Sequence, residues 1–143
     1  MNTFNSNIYE SAVAKVDVKR LPLVIQTVKN VNPTIEQMSA HIHLVEQILE
    51  DTTGSLTVIS DIQALQWARI KSIVYLGKEM NRVDRVNKDR IKLHIIVSKI
   101  KILRIAIPIF NLFARLDASH VVFRTMNEAI DHASLENGIP FYE

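Results

Sequence analysis

Four short runs along the chain are almost wholly apolar: LVIQTV from Leu23, SLTVIS from Ser55, KLHIIV from Lys92 and VVF from Val121. Continuously apolar runs of this length, bounded by turn residues and separated by stretches of helical period, are strands of a mixed or parallel sheet. Such a sheet has helices packed on it, because neither of its faces tolerates water. This constraint governs the rest of the reading.

Ahead of these runs, SAVAKVDVKR alternates. Ala12, Ala14, Val16 and Val18 are set against Ser11, Val13, Lys15 and Asp17, a period of two that predicts a half-buried strand. Arg20-Leu21-Pro22 predicts the turn of an antiparallel hairpin into LVIQTV. The phrase NPTIEQM opens a helix, with Thr34 as its cap and Gln37 completing a capping box. Behind it Ile35, Met38, Ile42, Val45 and Leu49 form one apolar stripe that ends before Gly54. A second helical pattern runs from about Ala64 to Met80, through Trp67, Ile70, Ile73 and Val74. NRVDRVNKDR mixes signs and reads as a solvated helix end and loop. The last helix opens on a capping box, Thr125 to Glu128, and closes at Asn137-Gly138. The expected class is α/β, a mixed β-sheet of about five strands flanked by about four helices. A single domain is expected over 1–143, frayed over about 1–8 and ending in a short tail over 138–143.

Composition narrows the functions available. With 143 residues, 48% hydrophobic and 22% charged, the chain has a globular balance. A net charge of +2, from 17 basic and 15 acidic side chains, is too even for nucleic-acid binding by bulk electrostatics. The absence of cysteine removes disulfides, thiolate metal sites and thiol nucleophiles, and fits a reducing compartment. No basic segment followed by an apolar core opens the sequence, so no signal peptide and a cytoplasmic location are expected. The three glycines, Gly54, Gly77 and Gly138, cannot build the common phosphate-cradling loops.

The most apolar stretch is Ser98 to Leu116, SKIKILRIAIPIFNLFARL. On a helix over 101–116, Lys101, Arg104, Pro108, Asn111 and Arg115 share one narrow stripe, and the remaining arc, with Ile105, Ile109, Phe110 and Phe113, is apolar. The uninterrupted run from Ile105 to Ile109 is far short of the roughly 20 residues of a membrane span, so no integral membrane segment is expected. The wide apolar face suits a neighbouring helix, an interface with a protein partner or a second copy, or a groove for a lipid-like ligand. Lys99, Lys101 and Arg104 cluster where the strand hands over to this helix and are the candidate anion site. Trp67 is expected in the core or at the same interface.

Other chemistry-bearing residues read as structural. His41 and His43 are two apart on a helix and do not share a face, so they are expected to be ordinary, partly exposed histidines and not metal ligands. Ser60 and Asp61 end a strand with no positioned histidine in view, which makes helix capping their expected role.

Three phrases resemble the SpoIIAA-like, or STAS-like, domain family of small stand-alone bacterial proteins. SLTVISD is similar to the family's central strand ending in Asp. KLHIIVSKIKILRIAIPIFNLFARL is similar to its hydrophobic strand followed by a helix with Arg and Asn-x-Phe. VVFRTMNEAIDHA is similar to its closing strand and helix. The resemblance covers roughly residues 10–136 and implies a non-enzymatic regulatory or protein-interaction role, with a homo-oligomer or a protein partner and no cofactor. The phosphorylatable Asp-Ser-Ser-Gly-like turn is absent, since SDIQALQWARIKS stands there with Arg69 near the expected serine, so no phosphorylation switch is carried over.

Overall fold

Strand β1 (Ile8–Glu10) pairs antiparallel with β2 (Ala14–Arg20), and β2 pairs antiparallel with β3 (Leu23–Val28). This computed structural model describes residues 7–29, 32–64, 70–98 and 119–141. In β2 the alternation works as expected: Ala14, Val16 and Val18 are buried, and Lys15 and Lys19 face water. Strand β1, from Ile8, adds a short edge strand to the hairpin.

From β3 onward the sheet is parallel. Strands β4 (Leu56–Asp61), β5 (Ile91–Val97) and β6 (Ser119–Phe123) follow in sequence order across it, giving six strands in the order β1-β2-β3-β4-β5-β6. Helix α1 (Ile35–Asp51) links β3 to β4, and α2 (Ile70–Val86) precedes β5. Both pack on one face, where Ile42, Ile48, Leu49 and Val83 meet Val16, Val24, Leu56, Val58 and Ile91. Helix α3 (Met126–Asn137) covers the other face, setting Ala129 and Ala133 on Leu23, Ile25, Ile59, Leu93, Ile95 and Val97. Successive strand residues point to opposite faces, so each parallel strand feeds both cores.

The helix boundaries follow from their caps. The Thr34 side chain accepts from Gln37 N at 3.1 Å, and the Gln37 side chain accepts from Thr34 N at 2.9 Å, which completes the expected capping box. Thr125 accepts from Glu128 N at 3.2 Å, but its hydroxyl donates to Glu128 Oε1, so this second box is only half formed. Gly138 closes α3 at φ 63°, a left-handed cap conformation that other residues adopt rarely.

Two details depart from the stripes read in sequence. Ile35 is 60% exposed, while His41 and Ile48 are buried beside Met38, Ile42 and Leu49. At 100° per residue the buried arc of α1 is centred toward His41 and Ile48, which leaves Ile35 on its rim. Asn81 to Val86, expected to be solvated, is the last turn and a half of α2 and buries Val83 and Asp84. Among the described residues there are three helices; the expected helix over 101–116 and residues 65–69 of the one expected from about Ala64 lie outside them.

Candidate functional site

Three strands and both helices around the α1/α2 core contribute polar side chains among apolar ones. On β3 this is Gln26, flanked by Val24 and Val28; on β4 Ser60, after Leu56 and Val58; on β5 His94, after Ile91. The period of two puts Gln26 and Ser60 on this face, and a register shift between Ile91 and Leu93 brings His94 onto it. Parallel register sets Gln26 beside Ser60 and Val58 beside His94, so Ser60 and His94 are diagonal neighbours across adjacent strands. From above, α1 brings His41 and α2 brings Asp84.

The side chains join into one chain of hydrogen bonds. Ser11 Oγ, in the loop before β2, lies 2.7 Å from His41 Nδ1. His41 Nε2 lies 2.6 Å from Gln26 Oε1, and Gln26 Nε2 donates to Ser60 Oγ at 2.8 Å. Ser60 Oγ lies 2.6 Å from His94 Nε2, and His94 Nδ1 lies 2.8 Å from Asp84 Oδ2. The Gln26 carboxamide sets the direction. Its oxygen needs a proton from His41 Nε2, so His41 Nδ1 accepts from the Ser11 hydroxyl. Its nitrogen uses a Ser60 lone pair; the Asp84 carboxylate only accepts, so His94 Nδ1–H donates to it, and the Ser60 hydroxyl faces His94 Nε2 with its proton. In this arrangement all five bonds point from Ser11 toward the carboxylate. Burial pushes the His41 imidazole down to about 4, which agrees with a neutral ring.

Ser60, His94 and Asp84 thus stand in the hydrogen-bonding order of a serine hydrolase triad. Their setting differs from one. Ser60 is 5% exposed, His94 3% and Asp84 1%. A nucleophile needs an open oxygen with room for a carbonyl beside it and donors for the developing oxyanion. Ser60 has its proton engaged by His94 and a lone pair by Gln26. Among the described residues a cavity of about 30 Å³ lies in the same core; its wall is apolar apart from Gln26 and Asp84, and neither Ser60 nor His94 lines it. It is far below the roughly 300 Å³ at which small-molecule sites begin.

The candidates read from sequence fare differently. Lys99, Lys101, Arg104, Trp67, Ile105, Ile109, Phe110 and Phe113 all lie outside the described residues. His43 is exposed, and His41 is a correction: it is 2% exposed and fully engaged, because it sits on the inward arc of α1. Ser60 is a second correction. It faces the helical core and bonds His94 instead of capping a helix, since β4 continues one residue beyond it. Asp61 does act locally: its Oδ1 accepts from Gln63 N at 3.1 Å. Among the described residues no group of His, Asp and Glu is placed to hold a metal ion, and no helix is long and apolar enough to cross a membrane.

No family model and no curated protein matches the chain. Its fold is similar to the crystal structure of an uncharacterized protein from the DUF3478 family, with a SpoIIAA-like fold, from Shewanella loihica PV-4. The TM-score is 0.55 and the sequence identity 15%, over 87% of this chain and 89% of that one. The likeness is one of fold, and the mixed sheet with helices on both faces is the SpoIIAA-like arrangement that the sequence resemblance implied.

Proposed function

We propose that this chain is a non-enzymatic, SpoIIAA-like interaction domain that acts in regulation, in the cytoplasm, by binding a protein partner or a second copy of itself. The observation that carries the reading is the enclosure of Ser60, His94 and Asp84. The one Ser–His–Asp set among the described residues spends its hydrogen bonds on joining β4 and β5 to α2, with each of the three side chains buried. Through Gln26 and His41 the same chain reaches α1. A polar core of this kind favours one arrangement of helices on a sheet, since any shift leaves a buried donor or acceptor unmade. A rigid helical layer is what a recognition surface needs. The alternative read from sequence, a lipid-like or anionic ligand held by 99–116, concerns residues outside the described ones.

The test is labelling with a fluorophosphonate, followed by intact mass and peptide mapping. No adduct at Ser60 is expected at neutral pH over hours. A stoichiometric adduct that disappears in Ser60→Ala would overturn the non-enzymatic reading.

A further inference from the structure

The outer surface of the helical layer is divided by charge. Helix α1 exposes Glu36, Glu50 and Asp51 and contains no lysine or arginine. Helix α2 exposes Lys71, Lys78 and Arg85. At 100° per residue these three lie within about 40° of one another, one stripe along the whole helix. Among the described residues none of the six makes a salt bridge. Where the helices touch, the opposite charges already meet: Arg82 of α2 bonds Glu46 of α1 at 3.3 Å.

The Glu46–Arg82 contact sets the level of the two helices: a residue of α1 lies beside the α2 residue about 36 positions further along the chain. Both lead from the carboxyl ends of parallel strands back toward their amino ends, so they run side by side in the same direction. A two-fold axis parallel to them, lying in the outer surface, lays α1 of one copy along α2 of the other in the same direction. Glu36 then comes level with the partner's Lys71, and Glu50 with the partner's Arg85. Symmetry makes each pairing twice. The other two-fold arrangement, with its axis across the helices, sets acid on acid and base on base.

We infer that the outer face of α1 and α2 is a homodimer interface, in which the acidic stripe of one copy meets the basic stripe of the other. The inference rests on the interaction reading above and names its partner as a second copy. A layer of two helices about 25 Å long and about 20 Å wide offers roughly 500 Å² per copy. That is the low end of specific interfaces, and exposed ion pairs are individually weak. The dimer is therefore weak and salt-sensitive.

Sedimentation velocity on the full chain over a concentration series tests this, with wild type, Lys71→Glu/Arg85→Glu and Glu36→Lys/Glu50→Lys. Wild type should dimerise, with Kd rising about tenfold or more between about 50 and about 300 mM salt. Each reversal alone should be monomeric under the same conditions. Mixed one to one, the two variants should associate as wild type does, because both contacts of the mixed dimer regain opposite charges. The four-site reversal in one chain should also dimerise. All four positions are exposed, so circular dichroism and the urea midpoint should stay near wild type. If a reversal unfolds, Lys71→Gln/Arg85→Gln replaces it and should weaken the dimer several-fold. A wild-type chain that stays monomeric at low salt overturns the inference, as does a dimer indifferent to the reversals, and so does a monomer whose stripe binds heparin instead. None of these touches the non-enzymatic reading, which falls only to Ser60 labelling.

Discussion

His94 Nδ1 of β5 lies 2.8 Å from Asp84 Oδ2 of α2, with both residues inside the core. The contact fastens the second crossover helix to the middle of the sheet. It also sets the orientation of the imidazole, so that Nε2 faces Ser60.

Asp84→Ala leaves the buried His94 Nδ1–H without this acceptor. Removing one partner of a buried, hydrogen-bonded pair costs about 2–4 kcal/mol. Urea unfolding should show a lower midpoint with an unchanged slope. Asp84→Asn should be destabilised by less, since its amide oxygen still accepts.

His41 predicts how stability depends on pH. Its folded value is about 4. The unfolded ring titrates near 6.5, so between these values the unfolded chain binds more protons than the folded one. Stability then rises with pH across that window, and acidification from about 6.5 to about 4 removes up to about 3 kcal/mol. His41→Gln keeps a donor for Gln26 and removes the titration. The difference in unfolding free energy between wild type and this variant should shrink steadily as pH falls through the window.

Arg90 clamps the end of α1. Its guanidinium donates to Leu49 O, to Gly54 O at 3.2 Å and to Thr52 Oγ1 at 3.1 Å. Arg90→Lys cannot reproduce the fork, so it should lose most of what Arg90→Ala loses, about 1–2 kcal/mol in thermal or urea unfolding.

Thr34→Ala removes the N-cap of α1 and should cost about 1 kcal/mol, with Thr34→Ser close to wild type. Faster amide exchange confined to the first turn of α1 would mark the effect as local.

How far the fold could be read depended on the range of the interactions. The β3 and β4 strands and the α1 cap were legible because apolar runs and a capping box are local signals. Strand β1 was not, since three residues at an edge carry no alternation to read. The end of α2 was misread because Asp84 stands between Val83 and Arg85 in a charged stretch, and the histidine that holds it inside comes from another element. The polar chain was hidden for the same reason. Gln26, Ser60 and His94 each interrupt an apolar strand, and that was the available signal. Their pairing depends on parallel register, which no local pattern encodes.

The most direct test of the polar core as a fixed structural element is a long-range nitrogen–proton NMR spectrum of the histidine rings at neutral pH. The bond directions place a proton on His94 Nδ1, facing Asp84, and require His41 as its Nε2–H tautomer. His41 found as an imidazolium, or either ring found in the opposite tautomer or as a rapidly exchanging mixture, would contradict the account.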